Sequence, residues 1–315
     1  MLVATALLLS GVAFAQDHYP NRPLRIVVGF TPGGGPDITA RHIAQRLGET
    51  FKQPVIVENK PGAGGTVAAA LVARSAPDGY TLLSVSSAHA AAAAIYPKLP
   101  YDAFKDLAGI TQSATSKYVL VVPPSLGVRS IGELVAAARA KPGTINFSSA
   151  GVGSGTHFAA EVFKAMAAID VVHVPFKGIP DALGETVAGR VQFFMAPIAN
   201  GASLVRDGRL LGLGVSSKVR DALLPEVPTI DASGVPGCEQ ELWFGILGPA
   251  GLPRAVMAKL NAEIGRILSD PDTSRRWAPI GIEPRPTTPQ QFDQLIAAET
   301  ALYTRIARAA GITSE

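Results

Sequence analysis

An α/β fold built on doubly wound sheets is what this chain predicts, and three observations carry the prediction. Short apolar runs rich in Val, Ile and Phe recur along the sequence, with helix-period patterns between them. Several of those runs are continuously apolar rather than alternating, as in parallel strands covered on both faces. Alternation of strand and helix implies βαβ units, and 315 residues leave room for two domains with separate cores.

Taken in order, the strand candidates are residues 24–30, 54–58, 81–86, 119–122, 144–148, 171–175, 191–195, 211–216 and 242–247. Helices follow many of them with readable ends. Ser130-Ile131-Gly132-Glu133 has the form of a capping box, and Pro142-Gly143 stops the helix that follows. Thr288-Pro289-Gln290-Gln291 is a second box, with Pro at the first helical position. Val256, Leu260, Ile264 and Ile267 share one helical face, as do Phe292, Leu295, Ile296, Leu302 and Ile306. Stripes at this period are core surfaces. No internal repeat and no low-complexity linker is visible.

Composition narrows the function. Charged residues make up 17% of the chain and hydrophobic ones 47%, yet no run approaches the ~18 apolar residues of a spanning helix. A formal charge of +3 with scattered Lys and Arg gives no patch for nucleic acid or a membrane surface. The single cysteine, Cys238, can form no internal disulfide, and with five histidines and no carboxylate pairs at ligand spacing no metal is expected. No cofactor motif is present. Residues 2–11 form a short apolar core and Ala13-Phe14-Ala15 follows the small-x-small rule, so residues 1–15 read as an export signal peptide, although no Lys or Arg precedes the core.

The chemistry-bearing segments are two glycine-rich turns between strand and helix. The first reads Thr31-Pro32-Gly33-Gly34-Gly35-Pro36-Asp37 and opens a helix over 38–51; the second reads Ser149-Ala150-Gly151-Val152-Gly153-Ser154-Gly155-Thr156-His157 and opens one over 158–167. Each would lie at the carboxyl end of a strand, where open α/β sheets bind ligands, with helix N-terminal N–H groups suited to an anion. A third turn, Pro61-Gly62-Ala63-Gly64-Gly65, has the same character. Competing motifs fail on spacing. Gly151-x-Gly153-x-Gly155 brings its third glycine one residue early for a dinucleotide fingerprint, and no Gly-Lys-Ser/Thr P-loop occurs. A nucleophile elbow around Ser154 would need glycine at Val152 and Thr156, so a serine hydrolase is disfavoured. Asp37 could equally cap the first helix, and His89 and His157 could equally be structural.

Beyond these turns, an ordered set of motifs carries a family resemblance. Tyr19-Pro20-Asn21-Arg22-Pro23 opens the first strand, and Pro32 to Asp37 is followed by Ala40-Arg41. Next come Val57-Glu58-Asn59-Lys60 before the third turn, Pro77-Asp78-Gly79-Tyr80-Thr81, and Leu99-Pro100-Tyr101-Asp102. Val174-Pro175-Phe176-Lys177-Gly178, Leu224-Pro225-Glu226-Val227-Pro228-Thr229, and Trp243 with Gly248-Pro249-Ala250-Gly251-Leu252-Pro253 complete it. The whole chain after the leader resembles the Bug-type extracytoplasmic receptors, the substrate-binding proteins of tripartite tricarboxylate transporters. The resemblance implies a two-lobed Venus-flytrap of the type II periplasmic binding protein kind, its doubly wound lobes joined by two crossing strands. Lobe 1 would comprise residues 22–122 plus 241–315 and lobe 2 residues 123–240, with crossings at 118–124 and 241–249. It also implies a periplasmic, non-enzymatic, monomeric protein that captures a small carboxylate with backbone N–H groups and passes it to the membrane components of its transporter. The alternative is a sensor that presents the same ligand to a signalling receptor. Ligand contacts implied are Phe30, Gly33, Gly34 and Asp37 from the first turn and Ser149, Gly153, Ser154, Thr156 and His157 from the second. Ser87 and Gly178 are implied as further contacts. Phe147 and Phe176 stand where the family commonly has tyrosine.

Overall fold

A computed structural model describes residues 19–312; the expected signal peptide lies outside the described residues. Its first half runs β1 (Leu24–Val28), α1 (Gly35–Phe51), β2 (Val55–Asn59), α2 (Thr66–Ala73), β3 (Thr81–Ser86), α3 (Ala88–Ile95), β4 (Leu107–Val122) and α4 (Ile131–Ala140). The second half continues with β5 (Asn146–Ser149), α5 (Gly155–Ala167), β6 (Val172–Pro175), α6 (Ile179–Val187), β7 (Phe193–Pro197), α7 (Ile198–Arg206) and β8 (Leu211–Val215). The chain returns through β9 (Glu241–Pro249), α8 (Arg254–Leu268), α9 (Pro271–Trp277), β10 (Ile282–Pro284) and α10 (Pro289–Ala310).

The strands are ordered β2-β1-β3-β9-β4-β7-β5-β6, with β10 and β8 also pairing with β4. Two parallel blocks, β2-β1-β3 and β6-β5-β7, match the doubly wound expectation. Strands β4, β8, β9 and β10 instead join their neighbours antiparallel, so the sheet is mixed. The apolar run of β9 is buried on both faces, which made it resemble a parallel strand. Burial on both faces sets that pattern, and strand direction does not.

Strand β4 holds the architecture together. Its first part, through Lys117, pairs with β9 and β10; from Tyr118 onward it pairs with β7 and β8. Only residues 119–122 were expected as strand, because the preceding stretch is polar. Thr111, Gln112, Ser113, Thr115 and Ser116 are nevertheless buried. Partners exist for most of them: Thr111 Oγ1 donates to the Thr287 carbonyl at 3.0 Å, and Ser116 Oγ to that of Gly281 at 2.8 Å. Where the partners change, Lys117, almost buried, bridges Asp221 at 3.0 Å and Glu283.

Apolar clusters lie on both faces of each block. Ile26, Val28, Ile43 and Leu47 pack with Leu260, Ile264 and Ile267 of α8 on one side, and Phe292 and Ile296 of α10 close the other. Phe147, Phe163 and Phe193 fill the core of the second block. Each such side chain contributes about 1.5–3 kcal/mol relative to exposure. One of the two expected capping boxes formed in full: Thr288 and Gln291 make it reciprocally. At α4, Ser130 Oγ accepts from the Glu133 N–H, but the Glu133 carboxylate reaches one residue further back, to the N–H of Arg129 at 2.7 Å.

Candidate functional site

Both glycine-rich turns sit at the carboxyl ends of parallel strands, β1 and β5, and they share one backbone design. Gly33 and Gly153 hold φ of +83° and +78°, a region open to glycine and strained for other residues. Gly34 and Ser154 are the N-caps, extended at φ/ψ of −77°/164° and −70°/157°. Their carbonyls accept the first helical N–H groups, from Ile38 at 2.9 Å and Phe158 at 3.1 Å. In each turn the side chain at the third helical position accepts the N–H of the left-handed glycine: Asp37 Oδ2 from Gly33 at 2.9 Å, His157 Nδ1 from Gly153 at 3.2 Å. Glu133 of α4 makes the same reach, so this contact is a way of fixing a helix entry and not in itself a ligand signature.

Fixing the turns this way leaves particular donors open. The N–H groups of Gly34 and Gly35 in the first turn, and of Gly155 and Thr156 in the second, donate to no protein acceptor among the described residues. Gly34, Gly35 and Gly155 are half-exposed. Open donors at a helix start are of the kind that suits an anion, and neither turn contains Lys or Arg.

The expected contact residues of the two turns fall into three groups, with Ser154 in two of them. Gly33, Gly34, Gly153 and Ser154 form the turns themselves, and Phe30 leads into the first. Asp37 and His157 stand behind the turns, buried, as supports. Asp37 is held also by Arg41 Nε at 2.9 Å and by Asn59 Nδ2 at 2.8 Å, and Asn59 in turn donates to the Phe30 carbonyl. Burial pushes the Asp37 carboxyl upward, but these bonds from Arg41, Gly33 and Asn59 outweigh it and hold it below the usual range. The hydroxyls of Ser149, Ser154 and Thr156 form the third group, all engaged internally. Thr156 Oγ1 accepts from the Ala150 N–H at 2.9 Å, Ser154 Oγ from that of His157 at 3.2 Å, and Ser149 Oγ meets His173 Nε2 at 2.6 Å.

His173, which sequence reasoning passed over, completes the second support. Its ring stacks on His157 with centroids 3.9 Å apart, and Phe147 stacks on His173 at 4.9 Å. Phe147 and His157 are buried in this stack, and His173 is partly buried. Burial drives His157 down to about 3, helped by His173 and Lys164, and His173 to about 4, so both rings are neutral at pH 7.

Ser87, from the other block, is brought against the second turn. A Cβ on Gly155 would stand 2.6 Å from the Tyr118 hydroxyl and 3.1 Å from Ser87 Oγ; one on Gly153 would stand 2.7 Å from Ile95 Cδ1 of α3. Close by, Tyr303 of α10 packs on Phe158 of α5, centroids 4.4 Å apart. Glu299, one turn earlier on α10, accepts from Trp243 Nε1. Burial lifts the Glu299 carboxyl to about 7 against the opposing bonds from Trp243 and Tyr303. Gly178, the N-cap of α6, follows Phe176, whose N–H donates to the Ser149 carbonyl at 3.0 Å, and lies beside an open groove of about 720 Å³ that includes Phe176 and Lys177. Among the described residues no group of three His, Cys, Asp or Glu is placed to hold a metal ion.

Known proteins resemble this chain over most of its length. The model of the tripartite tricarboxylate transporter family receptor matches residues 39–312. Protein BugT of Bordetella pertussis is 32% identical over 317 residues, covering 99% of this chain and 95% of its own length. A protein of R. palustris solved with adipate superposes at a TM-score of 0.84 with 32% identity, over 94% of this chain and 99% of that one. MatC from Rhodopseudomonas palustris, solved with bound malate, gives 0.80 and 32%, over 91% and 99%. With a family match across most of its length, a two-lobed fold shared with solved periplasmic binding proteins, and paired glycine turns at the ends of β1 and β5, the chain belongs to the tripartite tricarboxylate transporter receptor family.

Proposed function

We propose that the protein captures a small carboxylate in the periplasm between two lobes and delivers it to the membrane components of a tripartite tricarboxylate transporter, acting as a monomer exported by residues 1–15. The lobes are residues 22–122 with 241–315, and 123–240; β4 and the start of β9 form the crossings. One observation carries the reading: two turns of matching conformation, one from each parallel block, leave four main-chain N–H groups free at two helix starts. Adipate and malate in the solved relatives support an acid as the ligand. Hydrogen bonds to a charged group contribute about 1.5–3 kcal/mol each, so four of them, less ordering costs, are consistent with a micromolar Kd of about −8 kcal/mol. Contacts to both lobes at once are what favour closure, because a ligand that binds open and closed forms equally shifts neither.

A thermal-shift titration against mono-, di- and aromatic carboxylates tests the reading. A Tm that rises with the concentration of one acid, as mass-action linkage requires, is the expected result. Folded, ligand-free protein that shifts with none of them overturns it.

A further inference from the structure

Beside Gly64 and Gly65 of the third glycine turn and Gly29 and Phe30 at the end of β1 lies a cavity of about 10 Å³, space for about one water-sized group. Its walls come from the carboxyl ends of β1 and β3, the Gly64–Thr66 stretch after β2, and the first turns of α3. Two polar side-chain atoms of the lining have no hydrogen-bond partner: Nε2 of His89 and the hydroxyl of Tyr101. Both residues are buried, 5% and 7% exposed, and their rings stack at 6.2 Å and 11°. Folded proteins rarely leave such atoms unpaired. Two in one cavity call for a partner that the chain itself does not supply.

The position of the cavity relates it to the anion grip. Phe30 lines the cavity and leads directly into the first turn, and the Gly65 backbone packs against Gly29 and the Phe30 ring. Ser86 lines it too, next to Ser87, which faces the second turn. Strands β1 and β3 are parallel neighbours, so the cavity also lies where open α/β sheets place their ligands.

Its chemistry is uncharged. No Lys, Arg, Asp or Glu lines it, and burial holds the His89 ring down to about 4, hence neutral at pH 7. A carboxylate here would lose its hydration with no cation to replace it. A hydroxyl can donate to one of the two orphaned atoms and accept from the other.

Building on the carboxylate reading above, we infer that this cavity is a subsite for an uncharged, hydroxyl-bearing end of the bound acid, selected by His89 and Tyr101. The acid group occupies the glycine turns and the hydroxyl enters the cavity, where it pairs with His89 Nε2 and the Tyr101 hydroxyl.

Calorimetric titration of the full chain tests this with three matched series of three to six carbons: unsubstituted monocarboxylates, terminal hydroxy acids, and dicarboxylates. At the best-fitting length the hydroxy acid should bind about tenfold or more tighter than either counterpart, the scale set by satisfying buried polar groups. Tyr101→Phe and His89→Phe keep the stacked rings and remove the polar atoms. Each should reduce the preference to within about threefold while leaving the unsubstituted acid's Kd nearly unchanged, and that retained binding shows the variants fold. A dicarboxylate as tight as the hydroxy acid, or a preference intact in both variants, overturns the subsite and leaves the carboxylate reading standing. Binding of no acid at all overturns both. Should neither variant fold, the ranking of the three series on the unaltered protein decides.

Discussion

Replacing Gly153 by alanine should cost more than the same change at Gly33, although the two glycines share a left-handed backbone and the same type of hydrogen bond to a side chain four residues on. The strain of holding alanine at positive φ is common to both, about 1–2 kcal/mol. A Cβ on Gly33 meets nothing within 4 Å, so its cost stops there. A Cβ on Gly153 would stand 2.7 Å from Ile95 Cδ1, closer than carbon atoms tolerate, and something must move. Overpacking of this kind adds about 1–3 kcal/mol, for a total of about 2–5 kcal/mol. Ile95→Val removes the offending methyl at its own cost of about 0.5–1.5 kcal/mol. The double variant should therefore be more stable than the sum of the singles by about 1 kcal/mol or more. Urea unfolding of the four proteins, with m-values checked for constancy, measures the cycle. Equal losses at Gly33 and Gly153, or a coupling of zero, would refute the contact between α3 and the second turn as the source of the difference.

Two further outcomes follow from buried carboxyls. Asp37→Ala removes the acceptor shared by Gly33, Arg41 and Asn59, and should cost about 2–4 kcal/mol in urea unfolding and weaken ligand binding as the first turn relaxes. Glu299 titrates near 7 in the fold against 4.5 unfolded, so between those values the folded state binds more protons and stability falls as pH rises. That loss amounts to about 3 kcal/mol, is absent below pH 4.5, and should vanish in Glu299→Gln; a pH–stability profile of the variant as steep as that of the parent rules it out.

Sequence disclosed the local design and missed what depends on distant partners. The glycine turns, the cap at Thr288 and the apolar stripes of α8 and α10 are written in adjacent residues, and each was readable. Most of β4 was not, because its buried Thr and Ser find their partners at Gly281 and Thr287, more than 160 positions away. His173 was hidden for a similar reason: nothing near it in the chain tells that the neighbouring strand and helix bring Phe147 and His157 onto its ring. The positions of Asp37 and His157 were readable, but their roles were not. Spacing shows that each stands four residues after a glycine, while only coordinates show which way the side chain turns.

The open donors of both turns are main-chain atoms, and this bears on how such a receptor changes over generations. No single substitution deletes an amide proton except one to proline, and the proposed grip on the acid group is guarded by packing, because a Cβ on Gly35 or Gly155 would stand 2.2 Å from the Phe244 ring or 2.6 Å from the Tyr118 hydroxyl. The walls around it are ordinary side chains and have no such protection. On the proposed reading, affinity for the shared head of the ligand is thus held fixed by the packing of the turns, while preference for whatever hangs from that head can be rewritten one residue at a time.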